Sequence, residues 1–431
     1  MSLFNQIKQI YTSEFFKFSA VLLSSNVIAQ IIGFVVYPII TRLYGTEFFG
    51  IFSFFLSIVA VFTLFSTGQY ETAIVLPESE KKANALFQLS LLLTVIVSLF
   101  FFIVITLFGK NILVFFNQEK LASLLPYLPL YLLLYGLWRT LNYYFVRQKR
   151  YYNISAYNII QSITGSVFKC LLGFKGFLAN GLVYGQFFGQ FLAVAISVIS
   201  GRPAFKGLKK WDKKEIALVA KTYSNFPKYQ LPNALLSTLA GNLPILLLPF
   251  YFSLEKIGIF SMALTIGLTP VLLFSNSICQ VMFRKMSELV QNKKKILNVC
   301  LSFCKMCLIF ILPFFVLFAF IPNDFFGFFF GQPWIDVGFY FKLLLPCLFL
   351  SIFVGSLSFI PDIFFKQKIA AQIELIYTVF KVIALLAGAY LKSFDLAIIF
   401  FGIVIVIMLM IKLVWYFRII KKYEFSKELK L

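Results

Sequence analysis

There is no histidine anywhere in the 431 residues. That removes imidazole general bases, His-ligated metals and His proton relays. Titration near neutrality is left to carboxylates, cysteines or a lysine with a depressed pKa. Acids are scarce as well: 17 Asp and Glu stand against 39 Lys and Arg, for a net charge of +22. Such an excess of base could suggest nucleic acid. Here the basic residues sit mostly in short connections between apolar runs, so a membrane explains them and no nucleic acid is expected. Only 13% of residues are charged, whereas 60% are hydrophobic and 57 are Phe. A soluble fold of this size would need more polar surface, so the composition predicts an all-α polytopic membrane protein in a lipid bilayer. Period-two alternation is missing, which excludes an outer-membrane barrel.

No cleavable signal is expected either. The first apolar run extends from near Phe15 to Ile40. That is too long for a signal core. The leader, 1–14, has apolar residues at Leu3, Phe4, Ile7 and Tyr11. Their spacing predicts a short surface helix. Cys300, Cys304 and Cys307 have the spacing of a radical iron–sulfur site. They begin an apolar helix at i, i+4 and i+7, which fits a small-residue packing face instead.

What is present is a series of apolar runs of about 20 residues, the length that crosses a bilayer. Twelve spans are predicted: 16–40, 48–69, 84–108, 124–145, 154–174, 178–200, 228–251, 257–282, 299–321, 338–361, 370–390 and 394–416. With the N-terminus inside, the outer connections carry only Arg42, Lys110, Lys120, Lys175, Lys256 and Lys392. The inner ones carry the basic clusters, which places both termini in the cytoplasm.

The chain reads as two parallel six-helix repeats. Glu47–Ser53 (EFFGIFS) returns in the second half as Glu255–Ser261 (EKIGIFS). Phe145–Lys149 (FVRQK) returns as Phe364–Lys368 (FFKQK), and Phe168-Lys169 as Phe380-Lys381. The three separations differ slightly, as changes in loop length would make them. The predicted division is an N-terminal lobe at 1–205, a basic linker with an interfacial helix at 206–222, and a C-terminal lobe with its tail at 223–431. Trp211 and the amphipathic run after it suit an interfacial anchor. The tail, 418–431, reads as a second surface helix.

Several spans carry a polar stripe. Span 1 has Asn26, Gln30, Gly33 and Tyr37; span 5 has Asn158, Gln161, Ser162, Gly165 and Lys169. Such stripes serve helix packing or face a watery path. Arg139, Lys169, Lys305, Lys342 and Lys381 lie inside spans, where a charge costs roughly 2.5–3.5 kcal/mol unless it meets water or a partner. Snorkelling explains Lys228, Lys342 and Lys412 near span ends, and is open for Lys305. Lys169 and Lys381 are expected at equivalent places facing a shared cavity, where cations would attract an anion such as phosphate. Among acids, Glu374 and Glu71 are candidate ion-coupling groups, with pairing to a nearby Lys as the plainer reading.

Four stretches carry a resemblance: Pro38–Ser53 (PIITRLYGTEFFGIFS), Thr67–Pro77 (TGQYETAIVLP), Asn242–Leu248 (NLPILLL), and GIFSMA with the downstream QVMFRK at Gln280–Lys285. With the twelve-span order, the chain resembles the polysaccharide flippases (Wzx-type O-antigen transporters) of the multidrug/oligosaccharidyl-lipid/polysaccharide exporter superfamily. The resemblance implies V-shaped lobes around a central cationic cavity and alternating access. It implies an undecaprenyl-diphosphate oligosaccharide as substrate and the bacterial cytoplasmic (inner) membrane as location. Lys169, Lys381 and Arg139, with Lys305 and Lys342, would supply the cations, while Asn26, Gln30, Asn158 and Gln161 would meet sugars. No catalytic residue, metal or cofactor is expected beyond a coupling ion, H+ or Na+. The internal doubling suits a monomer, with polysaccharide polymerase machinery as a partner. A drug/cation antiporter and a membrane polymerase or glycosyltransferase are the competing readings. The excess of base over acid within spans argues against the first, and the lack of a large outer loop bearing catalytic residues argues against the second.

Overall fold

Runs dominated by Leu, Ile and Phe, with few internal breakers, satisfy every backbone group only as helices once in lipid. The computed structural model describes residues 14–115, 119–202, 211–292 and 294–428, and no strand occurs among them. The chain is an all-α, multi-pass membrane protein. It divides into two compact units, Met1–Leu246 and Leu247–Leu431.

The first unit contains α1 (Glu14–Leu43), α2 (Thr46–Ser66), a 3-10 turn (Tyr70–Val75), α3 (Glu80–Phe115), α4 (Leu128–Arg147), α5 (Tyr151–Phe174), α6 (Leu178–Gly201), the short α7 (Lys213–Thr222) and α8 (Leu231–Leu247). The second contains α9 (Leu254–Gln291), α10 (Leu297–Phe310), α11 (Leu312–Phe320), α12 (Asn323–Phe330), α13 (Val337–Ser356), the single turn α14 (Ile360–Ile363), α15 (Gln367–Tyr390) and α16 (Phe394–Glu428). The unit boundary lies after α8 rather than at the basic linker. Two hydrogen bonds tie the α8 region to the first unit: Ser57 Oγ donates to Asn242 Oδ1 at 3.2 Å, and Thr72 Oγ1 to Gln230 Oε1 at 3.4 Å.

Among the described residues, ten helices are long and apolar enough to cross a membrane, where twelve spans were expected. The expected fourth and fifth spans are present as α4 and α5. Both are long enough, but Arg139, Asn142, Asn158, Gln161 and Lys169 lower their hydropathy. Span 9 is broken into α10 and α11 at Ile311, just before Pro313. Proline cannot donate into the helix. The expected outer connection 322–337 folds in part as α12, whose Phe326 and Phe330 are buried, and Trp334 beyond it is fully buried.

The tail is not a separate surface helix. Neither Gly nor Pro interrupts 403–428, so α16 runs through as one helix of 35 residues. Its Glu424 Oε1 accepts from the backbone N–H of Ile296 (2.7 Å) and of Leu297 (2.9 Å). These are free donors at the start of α10, which the carboxylate satisfies. The predicted leader helix, 1–14, lies almost wholly outside the described residues, and 206–210 of the linker lies outside them too.

The doubling has a clearer register in three dimensions. Tyr151 and Gln367 open helices of equal length, Phe174 and Tyr390 close them, and Leu178 and Phe394 open the next pair. The separation along the chain is the same for each pair. Left-handed backbone recurs at the same spacing, at Lys149 and Phe365 and at Gly176 and Lys392. In this frame Lys169 matches Leu385, and Lys381 matches Gly165. The two lysines are therefore one helical turn out of register, and the FVRQK and FFKQK pair is displaced by nearly a turn. Only the EFFGIFS and EKIGIFS pair is in place, since each string sits one residue inside the start of its helix, α2 at Thr46 and α9 at Leu254. Short basic-aromatic strings at helix ends match by composition; helix boundaries report register directly.

Candidate functional site

Two helices of the first unit come unusually close. α6 carries Gly181, Gly185 and Gly189 every fourth residue, and α5 answers with Gly165, Lys169 and Gly173. A Cβ added at Gly189 would lie 2.6 Å from the backbone N and Cα of Gly165. One added at Gly185 would lie 2.6 Å from the backbone N of Lys169 and 2.5 Å from its Cγ. Small residues thus let the backbones touch. The contact fixes where Lys169 leaves α5.

Lys169 Nζ donates to Gln186 Oε1 at 2.6 Å and lies 5.2 Å from the centre of the Phe52 ring. Its carbonyl accepts from the Tyr44 hydroxyl at 2.7 Å. No carboxylate pairs with it among the described residues. A cavity of about 200 Å³ opens beside it, lined by Gly33 and Tyr37 of α1, Phe49 and Phe52 of α2, Gln161 and Ser162 of α5, and Gln186 of α6, among others. At the same α1–α5 seam, Asn158 Nδ2 donates to Asn26 Oδ1 at 2.8 Å and Ser162 Oγ to the Ala29 carbonyl at 2.6 Å. Gln30 Oε1 is buried without a partner among the described residues. The structure therefore gathers Asn26, Asn158, Gln161 and Lys169 along one seam. It adds Gln186, which the sequence reading missed; the Gly-x-x-x-Gly-x-x-x-Gly run around it was the available signal.

Arg139 goes elsewhere in the same unit. Its Nη2 lies 2.6 Å from Oε1 of Glu71, whose side chain is fully buried, and donates to Gln69 Oε1 at 3.3 Å. The Glu71 contact is an ion pair whose angles fall outside hydrogen-bond geometry. Glu71 sits on the 3-10 turn after Gly68 and Gln69, both with left-handed backbone (φ 59° and 65°). The left-handed conformation is costly for the non-glycine Gln69. The turn is anchored by Arg147, whose Nη1 donates to the carbonyls of Ile74 (3.2 Å) and Pro77 (2.7 Å).

The second unit holds a different cluster. Lys381 is buried on α15, with Nζ 3.8 Å from the centre of the Tyr377 ring. Lys412 of α16 approaches the same ring at 4.8 Å and pairs with Glu374. Glu374 and Tyr377 are one turn apart on α15, as are Tyr377 and Lys381. Two cations thus approach one aromatic ring, and of the two it is Lys412 that pairs with the Glu374 carboxylate. The sequence reading assigned Lys412 to snorkelling, but its side chain is only 14% exposed. Lys342 and Lys305 do not join this group. Lys342 Nζ donates to Asn323 Oδ1 of α12 at 2.8 Å. Lys305 is exposed on α10.

A sequence family described as "Polysaccharide biosynthesis protein" matches residues 39–338 of this chain. No curated protein matches it. Among solved structures, the fold is similar to the inward closed conformation of the lipid II flippase MurJ (TM-score 0.73, 14% identity, covering 96% of this chain and 90% of that one). It is also similar to an inward-facing multidrug resistance MATE family transporter of the MOP superfamily (TM-score 0.67, 16% identity, 94% and 98%). A MATE protein in complex with MaL6 is a third (TM-score 0.58, 14% identity, 94% and 95%). At these identities the likeness establishes the fold, and the sequence match spans well over half of the chain. This multi-pass membrane protein belongs to the polysaccharide biosynthesis protein family.

Proposed function

We propose that the protein is a flippase that moves undecaprenyl-diphosphate-linked oligosaccharide across the bacterial inner membrane by alternating access, for assembly of a surface polysaccharide. The observation that carries the reading is Lys169. It is a cation without a carboxylate partner among the described residues, beside a cavity lined by amide, hydroxyl and aromatic groups. An unpaired cation in lipid-embedded protein is costly and calls for an anionic partner. A diphosphate supplies that charge, and the neighbouring amides and hydroxyls of Gln161, Ser162 and Gln186 suit sugar hydroxyls. Lys381 is assigned a second anion contact in its own unit. Glu71 and Glu374 are assigned to coupling with H+ or Na+, and both termini to the cytoplasm. The protein acts as a monomer that hands its product to polymerase machinery.

The antiporter reading needs a free acid to hold a cationic drug. The residues lining the cavity beside Lys169 include no acid. The test is complementation of a deletion strain with wild type, Lys169→Ala, Lys169→Arg, Lys381→Ala and the double alanine variant, scoring surface glycan at matched membrane abundance. The expected result is at least a tenfold loss for Lys169→Ala, with partial recovery for Lys169→Arg. Full restoration by the double alanine variant would refute the cation assignment. Intact glycan in the deletion strain, with altered drug susceptibility, would refute the flippase.

A further inference from the structure

α7 is short, and its two sides differ. Val219 is buried and Ile216 and Ala220 partly so, packed into a core with Tyr70, Ile74 and Leu86. The opposite side shows Lys214, Ala217, Leu218, Lys221 and Thr222, all exposed, with Trp211 one turn before them. Trp211 is 57% exposed and Leu218 51%. The acids of this segment are withdrawn from that face. Asp212 caps α7 by accepting from the N–H of Lys214 (3.1 Å) and of Glu215 (3.2 Å). Lys81, at the start of α3, pairs with both Asp212 and Glu215 at 3.1 Å. Lys213, Lys214 and Lys221 have no carboxylate partner among the described residues. The outer face is therefore a run of net positive charge with two exposed apolar side chains, and it lies beside the end of a membrane-spanning helix.

We propose that this face docks on the anionic phospholipid headgroups at the bilayer surface next to the start of α3. The lysines meet phosphates, and Trp211 and Leu218 enter the interfacial layer, the arrangement basic amphipathic helices adopt on anionic membranes. Docking there bears on the interior of the unit. The Tyr70 hydroxyl donates to the Ala220 carbonyl at 3.0 Å, and Tyr70 is the residue before Glu71. The surface contact thus bears on the turn that carries Glu71, the partner of Arg139 on α4. The inference is independent of the flippase reading, since it needs no substrate.

The experiment is hydrogen exchange on the full-length protein in nanodiscs of phosphatidylcholine alone or with phosphatidylglycerol, comparing the segment 213–222 with α5 and α6 as internal reference. Charge attraction of this kind is about fivefold per lysine, or about a hundredfold for three. Exchange in 213–222 should slow by one to two orders of magnitude in the anionic discs. The slowing should be lost at high salt or in a Lys213→Gln/Lys214→Gln/Lys221→Gln variant, with the reference unchanged. Equal exchange in both discs overturns the proposal. So does protection that appears only when a soluble protein is added, which would assign the face to a protein partner.

Discussion

Gly189→Ala should force apart two helices whose backbones touch. The added Cβ would sit 2.6 Å from the N and Cα of Gly165 and 3.0 Å from the Gln161 carbonyl. Comfortable carbon contacts begin at ~3.5 Å. All three neighbours are backbone, so no side chain can rotate aside. α5 and α6 must part by about 1 Å, and the usual cost of such overpacking is about 1–3 kcal/mol. Gly241 is the control: it is also helical, and a Cβ there meets nothing within 4 Å. Both substitutions gain the same helix propensity, about 1 kcal/mol, so their difference isolates the contact. With about 2–4 °C per kcal/mol for a unit of this size, Gly189→Ala should melt about 2–12 °C below Gly241→Ala. The assay is a thermal scan of purified protein in one detergent at one heating rate, because unfolding of such a protein is read as a rate. Equal melting temperatures would refute the claim that backbone contact between α5 and α6 positions Lys169.

Other outcomes follow from the same geometry. Arg139→Gln strands the buried Glu71 carboxylate and should destabilise by about 3–5 kcal/mol; adding Glu71→Gln should recover most of the loss in the same thermal assay. Glu424→Ala removes the acceptor for two backbone donors at the start of α10 and should cost about 1 kcal/mol, seen as faster exchange of the Ile296 and Leu297 amides. The hydrogen bond from Lys81, then that from the Glu215 N–H, hold the Asp212 carboxyl below its ordinary 3.8. A depressed carboxyl stabilises above its unfolded pKa, so the α7 cap should be intact at pH 6 and weaken as pH falls below about 4. Exchange across 213–222 measures it, and Asp212→Ala should flatten that dependence.

The sequence made the helices legible because lipid leaves an apolar chain few alternatives. It singled out Lys169, Lys381, Asn26, Asn158 and Gln161 as polar groups within spans, since such groups stand out against Leu and Phe. What it misjudged depends on neighbours across space. Lys412 looked like a snorkelling residue until Glu374 and Tyr377 were found beside it. Arg139 was expected with the cavity lysines, yet it is engaged by a carboxylate on a turn two helices earlier in the chain. Register was misjudged by up to one turn because FVRQK and FFKQK match in chemistry at helix ends of different kind. The tail was misjudged because basic content marks where the membrane ends, not where the helix ends.

The continuity of α16 also sets limits for handling the molecule. The helix has 35 residues. At about 1.5 Å per residue it is a rod of about 52 Å, against a hydrocarbon thickness of about 30 Å. A fluorophore or affinity tag fused to its end would stand on a stalk of roughly 20 Å instead of trailing from a floppy end. A truncation that removes Glu424 uncaps the start of another helix.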